Sequence, residues 1–174
     1  MAHVILGLLL IYPQSLYDLI KSFEAGVSLF YSASSGSIKR ALDNLLASGS
    51  IEVASTEPGA RGRKVYRVTD SGRGEFHAWM TGPLSGNLET AALSRLYFLG
   101  LLEAPERPPV LERMREATEA QLGQLTRLRD HISTLEIPDE LRDVAESQAA
   151  TLDYGIHSHQ ASLDWFTRRL GDPS

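Results

Sequence analysis

The 174-residue sequence predicts a mainly α-helical fold with one short β-hairpin, and three observations support this. Apolar residues recur every three or four positions over most of the chain, which is the period of an amphipathic helix. Between residues 51 and 68 the period changes to two, which is typical of strands. Beyond residue 86 two much longer stretches of helical period follow. Three helices, a hairpin and a further helix are the order of a winged helix-turn-helix, and the long helices predict a coiled-coil-like dimerisation domain.

Three short helices are predicted before the hairpin. The nearly all-apolar segment Val4–Ile11 is expected to form a buried helix. Ser15 is the expected N-cap of a second helix over 16–23. Ser34 or Ser35 is expected to cap a third helix with one apolar stripe. The residues of this stripe are Ile38, Ala41, Leu42, Leu45 and Leu46.

The hairpin and the helix after it complete the first predicted domain. The alternating segments 51–55 and 64–68 predict two strands, and the loop 56–63 between them is rich in Pro, Gly and charged residues. A fourth helix is expected to start at Thr69 or Asp70, although Gly72 and Gly74 weaken its first turn.

A break in composition at 81–86 predicts the domain boundary, with a winged helix-turn-helix domain at 1–80 and a helical domain at 87–174. In the second domain, helices over 109–135 and 139–170 carry apolar seams. Such a thin pair has little interior of its own, so we expect it to bury its seams in a homodimer. The expected dimerisation residues are Leu111, Met114, Leu125, Leu128, Ile132, Leu152, Ile156, Leu163 and Phe166.

The formal net charge of −5 hides an uneven distribution. Residues 34–73 carry seven Lys and Arg against four Asp and Glu, whereas residues 81–174 carry nine against fifteen. Screening confines electrostatic fields to about 8–10 Å in physiological salt, so local charge decides which partner a surface attracts. The acidic total therefore does not exclude a DNA-binding surface within residues 34–73.

Composition and motifs argue against several other classes of function. The chain has no cysteine, which removes disulfides, thiolate zinc sites and cysteine nucleophiles. It has no Gly-rich phosphate loop after a strand, no HExxH and no G-x-S-x-G motif, so we expect neither an enzyme nor a bound metal or other cofactor. The longest apolar run, residues 4–12, is far shorter than the roughly 20 residues of a membrane span. We therefore expect a cytoplasmic protein without a membrane partner.

The predicted third helix carries a polar face opposite its apolar stripe. In a helix-turn-helix this helix enters the major groove of DNA with its N-terminal residues against the bases. Basic side chains there donate to guanine acceptors or to phosphates, and a helix N-terminus also favours phosphate. The candidate DNA contacts are Ser35, Ser37, Lys39, Arg40 and Asp43. A solvated polar face is the alternative, and the hairpin that follows favours DNA.

The tip of the hairpin offers a second group of candidate DNA contacts. Glycine allows a close approach to the phosphate backbone, and arginines suit a narrow minor groove. The candidates are Arg61, Gly62, Arg63 and Lys64. Arginine–glycine loops also occur on surfaces without a DNA partner, so the position of this loop after the third helix carries the prediction.

Several stretches resemble the PadR family of bacterial transcriptional regulators, in particular its members with a long helical C-terminal region. The matching stretches are VILGLL at 4–9, YDLIK at 17–21, SSGSI at 34–38, GSI at 49–51, GRKVYRVTDSGR at 62–73 and LDYGI at 152–156. The stretch at 62–73 is the most specific, because it resembles the wing and its exit. Leu16 and Lys39 stand where the family usually has glycine and tyrosine, so the family's base preferences are not carried over.

The resemblance implies a homodimeric, ligand-responsive repressor that binds double-stranded DNA. It implies that Tyr17 reaches a phosphate, with packing as an equal alternative. It also implies a small aromatic or apolar effector near the domain junction. The candidate effector residues are Trp79, Tyr97, Phe98, Tyr154, His157 and Trp165, and packing is the alternative for each aromatic. An interaction adaptor that has lost DNA binding and a small-molecule-binding protein built on the helical domain are the other functions left open.

Overall fold

The computed structural model describes residues 1–57 and 62–171, with Glu57 described only by its backbone. The helices are α1 (Ala2–Ile11), α2 (Leu16–Ala25), α3 (Ser35–Ala47), α4 (Asp70–Thr81), α5 (Leu88–Phe98), α6 (Arg107–Ile132) and α7 (Arg142–Gly171). The strands are β1 (Gln14–Ser15), β2 (Ile51–Glu57) and β3 (Arg63–Val68). The predicted winged helix-turn-helix followed by long helices is confirmed, and β1 is an addition to it.

Serine-based capping boxes start α2 and α3. Ser15 Oγ accepts a hydrogen bond from the backbone N–H of Asp18 at 3.4 Å, and the Asp18 carboxylate accepts one from the Ser15 N–H at 3.0 Å. Ser34 and Ser37 make the same reciprocal pair at α3. Each box satisfies N–H groups that the first turn of a helix leaves without an intrahelical partner. The N-cap of α3 is therefore Ser34.

One apolar cluster holds the first three helices together. Its fully buried members are Ile5, Leu6, Leu19, Ile38 and Leu42, each at most 1% exposed. Burying an aliphatic side chain of this size contributes about 1.5–3 kcal/mol. Because Ile38 and Leu42 belong to this cluster, the orientation of α3 is fixed and its opposite face is turned to solvent.

The wing is an antiparallel pair of strands. β2 and β3 pair from Ile51 opposite Val68 to Glu57 opposite Arg63. Val68 and Ile51 are buried at the base, whereas the strands become exposed toward the tip. The wing is thus anchored in the core at one end and presents its tip to solvent.

Sequence periodicity does not predict β1, because two residues are too short to show a period. Gln14 pairs with Tyr66 of β3, which gives the sheet the order β1-β3-β2. The Gln14 side chain is 1% exposed, donates to the Leu8 carbonyl at 2.9 Å and accepts from Ser22 Oγ at 2.8 Å. These bonds satisfy a buried amide and connect the end of α1 to α2 and the wing.

Residue contacts divide the chain into two compact units, Met1–Arg107 and Pro108–Ser174. The sequence places the boundary earlier, at 81–86, and α5 accounts for the difference. Phe98 at its end is 1% exposed, and a Cβ added to Gly7 of α1 would lie 2.7 Å from its ring. α5 therefore packs with the first unit, and Phe98 is a core residue, as the packing alternative for this candidate effector residue predicts.

The second unit contains the long helices α6 and α7. Leu111, Met114 and Phe166 are at most 6% exposed in the single chain, so they pack internally and have no area left for a partner. The large aliphatic side chains that stay exposed lie in the connector 133–141 and in the adjoining parts of α6 and α7. They are Leu128, Ile132, Leu135, Ile137, Leu141 and Val144, from 37% to 52% exposed.

Candidate nucleic-acid interface

The two faces of α3 separate by polarity as its periodicity predicts. Ile38, Leu42 and Leu45 are buried. The opposite face presents candidate DNA contacts to solvent, and these are Ser35, Lys39, Arg40 and Asp43. The structure therefore brings together, on one accessible helix surface, four of the five residues predicted there.

The charges on this face are not equivalent. Lys39 Nζ donates to Asp43 Oδ2 at 2.7 Å across one helical turn, and this hydrogen bond raises the pKa of Lys39. Arg40 is exposed and makes no side-chain hydrogen bond or ion pair with any residue that the structure describes. Lys39 must share its charge with Asp43, whereas Arg40 is available to an acceptor on DNA.

The hydroxyl of Ser37, the fifth predicted contact, is engaged within the chain. Ser37 Oγ donates to the Ser34 carbonyl at 2.7 Å and accepts from the Ser34 N–H at 2.9 Å. The side chain is half-buried. Ser37 therefore shapes the start of α3, and its part in the surface is smaller than that of its exposed neighbours.

The wing strand β3 lies beside the polar face of α3. Burial raises the pKa of the Tyr66 hydroxyl, and the negative charge of Asp43 raises it further while Lys39 lowers it. An electrostatic effect of α3 side chains on Tyr66 requires the two elements to be neighbours. Tyr66 of β3 therefore lies within electrostatic range of the polar face of α3.

At the wing tip the structure describes three of the four predicted contacts. Gly62 has φ of +69°, a left-handed conformation that favours glycine. Lys64 is exposed and has no ion-pair partner among the described residues. Arg63 Nη2 donates to Asp18 Oδ2 at 2.6 Å, and Arg61 lies outside the described residues.

The Arg63–Asp18 contact connects the wing to the start of α2. Partial burial by itself raises the pKa of Asp18, but hydrogen bonds from Ser15 and Arg63 outweigh it, so that the pKa is lowered. The carboxylate thus caps α2 and holds β3 at the same time. Sequence reasoning missed this double role, because Asp18 and Arg63 are 45 positions apart.

Tyr17 is exposed, so its phenol is not packed in the core of the first unit. Its side chain is 63% exposed in the first turn of α2. Lys21 lies one turn later with Nζ 5.8 Å from the centre of the Tyr17 ring. Lys21, which also donates to Glu24 Oε2 at 3.3 Å, is a further cation near Tyr17. Its spacing of four from Tyr17 is the sequence signal that could have identified it.

The turn between α3 and β2 joins the two parts of this surface. Gly49 has φ of +75°, as expected for the end of a helix. Thr69, the N-cap of α4, donates its hydroxyl to the Gly49 carbonyl at 2.7 Å and its N–H to the Ser50 carbonyl at 3.1 Å. α4 therefore supports α3 and the wing through the backbone that connects them.

The candidate effector residues fall into both units. In the first unit Trp79 is half-buried, Tyr97 is 44% exposed, and Phe98 is in the core. In the second unit Tyr154 and Trp165 are 77% and 41% exposed, and His157 is exposed with Nδ1 2.9 Å from the Asp153 carbonyl.

Two further observations concern the residues that the structure describes. Within residues 1–57 and 62–171, no helix combines the length and apolar character needed to cross a bilayer. In the same residues no three His, Asp or Glu side chains are grouped so that they could hold a metal ion.

A helix with a buried stripe and an exposed basic face, continued by an anchored two-stranded wing, defines the chain as a winged helix-turn-helix protein. Comparison with protein families then specifies it. Residues 5–78 match the transcriptional regulator PadR-like family, and residues 91–171 match the virulence activator alpha C-terminal domain. The first part of the chain is therefore similar to the PadR-like family of transcriptional regulators, as the resemblance predicted.

Individual proteins and solved structures are also similar to this chain. The negative transcriptional regulator PadR of Bacillus subtilis is 29% identical over 126 residues, which are 71% of this chain and 69% of the relative. A crystal structure of Bacillus subtilis PadR with operator DNA is 23% identical, with a TM-score of 0.45 over 98% of this chain and 96% of that one. The same protein with p-coumaric acid is 22% identical, with a TM-score of 0.43 over 97% and 92%.

Proposed function

We propose that this chain is a DNA-binding, ligand-responsive transcriptional regulator that acts as a homodimeric repressor. The observation that carries the proposal is the exposed polar face of α3, where Arg40 has no partner among the described residues and β3 adjoins. A major groove admits such a helix, and a basic side chain on it can donate to guanine O6 and N7 or to phosphate. The α2 side chains Tyr17 and Lys21 add contacts to phosphate.

Dimerisation follows from the exposed apolar side chains of the second unit. Six aliphatic residues between Leu128 and Val144 are 37–52% exposed, and a second copy of the chain is the partner that we infer for them. In a dimer, two α3 helices would read half-sites about 34 Å apart. We assign DNA binding to residues 1–80 and dimerisation to residues 87–174.

Repression is the sign of regulation that the curated relative supports, because the Bacillus subtilis protein is a negative regulator. A ligand changes DNA affinity only if it binds one arrangement of the dimer better than another. We further propose that the chain acts in the cytoplasm and has no enzymatic activity.

Binding-site selection from fragmented genomic DNA tests the proposal. The full chain is incubated with fragments at moderate salt, and the retained fragments are sequenced. We expect a two-fold symmetric motif, and an affinity that falls steeply with salt with a log–log slope of about −0.9 per phosphate contacted. An adaptor without DNA binding would retain fragments without a common motif and would show no such slope.

The Arg40→Ala variant is the control for this experiment. Arg40 is exposed and unpaired among the described residues, so its removal leaves the fold intact. Loss of the selected motif with retained folding supports a recognition role for α3. An unchanged motif and an unchanged affinity in Arg40→Ala would refute that role.

A further inference from the structure

An acidic side chain lies on the face of α3 that we assign to DNA. The Asp43 side chain is 54% exposed, and its Oδ2 accepts a hydrogen bond from Lys39 Nζ at 2.7 Å. A carboxylate on such a face repels the phosphates of DNA and offsets the attraction of a neighbouring cation. The Lys39–Asp43 pair is therefore electrically neutral on a surface where Arg40 carries the positive charge.

The bonding capacity of the Lys39–Asp43 pair is not used up within the chain. An ammonium group has three N–H donors, and a carboxylate has about four acceptor sites. The single bond between the two side chains leaves two donors on Lys39 and the whole of Oδ1 on Asp43 without a partner in residues 1–57 and 62–171. The pair thus presents donors and an acceptor side by side to solvent.

A G·C base pair presents the complementary groups in the major groove. Guanine offers the acceptors N7 and O6, and cytosine offers the donor N4. Guanine O6 and cytosine N4 share a Watson–Crick hydrogen bond, so they lie about 2.9 Å apart. This separation is close to the 2.7 Å between Lys39 Nζ and Asp43 Oδ2. The two remaining donors of Lys39 therefore match guanine, and the acceptor of Asp43 matches cytosine.

An A·T base pair does not match the Lys39–Asp43 pair in either direction. Adenine has the donor N6 where guanine has O6, and thymine has the acceptor O4 where cytosine has N4. In one direction Lys39 therefore meets a donor and Asp43 meets an acceptor. In the other direction the thymine methyl group replaces one acceptor for Lys39, and adenine N7 adds an acceptor beside Asp43.

We propose that Lys39 and Asp43 recognise one G·C base pair in each half-site as a unit, with Lys39 donating to guanine N7 and O6 and Asp43 accepting from cytosine N4. By holding the ammonium group, Asp43 also keeps Lys39 from binding phosphates of other DNA. The inference rests on the proposed function and names the base pair that α3 selects. Lys39 stands where the family that this sequence resembles usually has tyrosine, so the contact belongs to this chain's own residues.

Binding-site selection with Lys39→Ala and Asp43→Ala tests the recognition of G·C. Both side chains are exposed and alanine favours helix, so α3 is retained, which circular dichroism checks. We expect a G·C pair at one position of each half-site for the unchanged chain. Both variants should lose the base preference at that same position and keep the rest of the motif. An unchanged motif in either variant, or losses at different positions, overturns the proposal.

Affinities measured by fluorescence anisotropy test the second part of the proposal. Asp43→Ala frees Lys39 for a phosphate, so random DNA should bind about three- to eightfold more tightly at about 0.1 M salt, with a log–log salt slope steeper by about 0.9. The selected DNA should bind about fivefold more weakly, because the contact to cytosine is lost. A change of the same sign for both DNAs, or an unchanged affinity for random DNA, contradicts the proposal.

Glu119→Ala is the matched control for the change in net charge. Glu119 accepts from Arg115 at 3.0 Å across one turn of α6, so it forms the same kind of pair in the second unit. Its removal should leave the affinities for both DNAs within about twofold of the unchanged chain, because fields are screened beyond about 10 Å. Equal gains for random DNA in Glu119→Ala and Asp43→Ala would show that net charge alone is responsible and would exclude the role of Asp43.

The variant that carries both substitutions tests whether the two side chains act together. It should bind the selected DNA within about twofold of Lys39→Ala, because the two losses belong to one contact. Losses that multiply instead show two independent contacts and overturn the unit. A selected motif that does not depend on Lys39 and Asp43 overturns only this inference, whereas no common motif and no DNA binding by the unchanged chain overturns the proposed function.

Discussion

Replacing Gly72 by alanine tests whether α4 holds the backbone that connects α3 to the wing. Alanine normally stabilises a helix relative to glycine by about 1 kcal/mol. At Gly72, however, an ideal Cβ would lie 2.0 Å from the Ser50 carbonyl oxygen and 2.8 Å from Val68 Cγ1. Ser50 is part of the backbone between α3 and β2, so this contact cannot be relieved by rotating a side chain.

The size of the effect follows from the displacement that alanine requires. Ordinary contacts begin at 3.4 Å, so the Ser50 backbone and α4 must separate by about 1.4 Å. Overpacking of this kind costs about 1–3 kcal/mol, and loss of the Thr69 N–H to Ser50 bond costs about 1 kcal/mol more. After the helix propensity is subtracted, we expect a loss of about 1–3 kcal/mol. This corresponds to a fall of roughly 5–15 °C in the melting temperature of the first unit.

Gly74→Ala is the matched control, because it lies two positions further along the same helix. Nothing is within 4 Å of a Cβ added there, so we expect a gain of about 0.5–1 kcal/mol. Thermal unfolding of both variants is followed by circular dichroism and, in a Trp165→Phe background, by Trp79 emission. Opposite signs are expected, and stabilisation of both variants would show that the contact between α4 and Ser50 is not tight. DNA affinity below the melting temperature should fall in Gly72→Ala only.

Three further predictions concern the surface, the wing and the second unit. Arg40→Ala should lower the affinity for the selected DNA by about 1–3 kcal/mol, with a smaller loss of affinity for random DNA. Lys64→Ala should weaken binding to both DNAs equally and reduce the salt slope by about 0.9. Anisotropy titrations over a salt series distinguish the two variants. Asp18→Asn should remove acid-sensitive stability. Because the folded pKa of Asp18 lies below the ordinary 3.8, the contribution of its carboxylate to the free energy of unfolding is present above that value and is lost as the pH falls through the folded pKa. Urea unfolding from pH 7 to pH 3 should therefore show a smaller loss of stability with acid in the variant. Leu128→Asp should shift sedimentation to the monomer while leaving helix content unchanged, and a variant that stays dimeric would exclude this surface from the dimer interface.

Periodicity and capping residues predicted most of the fold. The change of period at residue 51 located the wing. Ser15 caps α2 at the position that the sequence predicts. The boundary of the first unit could not be predicted in this way, because it depends on Phe98 packing against Gly7 across 91 positions. The strand β1 escaped prediction because two residues show no period.

The candidate site likewise has one part that the sequence predicted and one part that it did not. Helical spacing by itself placed Ser35, Lys39, Arg40 and Asp43 on one face, since residues three and four apart are neighbours on a helix. Spacing did not distinguish Arg40 from Lys39, nor did it show that Arg63 is engaged with Asp18. Those distinctions depend on which of the cations forms an ion pair with a carboxylate in the folded chain.

Local sequence determined the elements, their caps and the polar face of α3, because these depend on interactions within a few residues. Tertiary structure alone decided where α5 packs, which apolar residues of α6 and α7 stay exposed, and that Arg95, Trp79 and Tyr31 line one cavity. Residues up to 94 positions apart, Met1 and Arg95, line it, and their proximity is set by packing between helices.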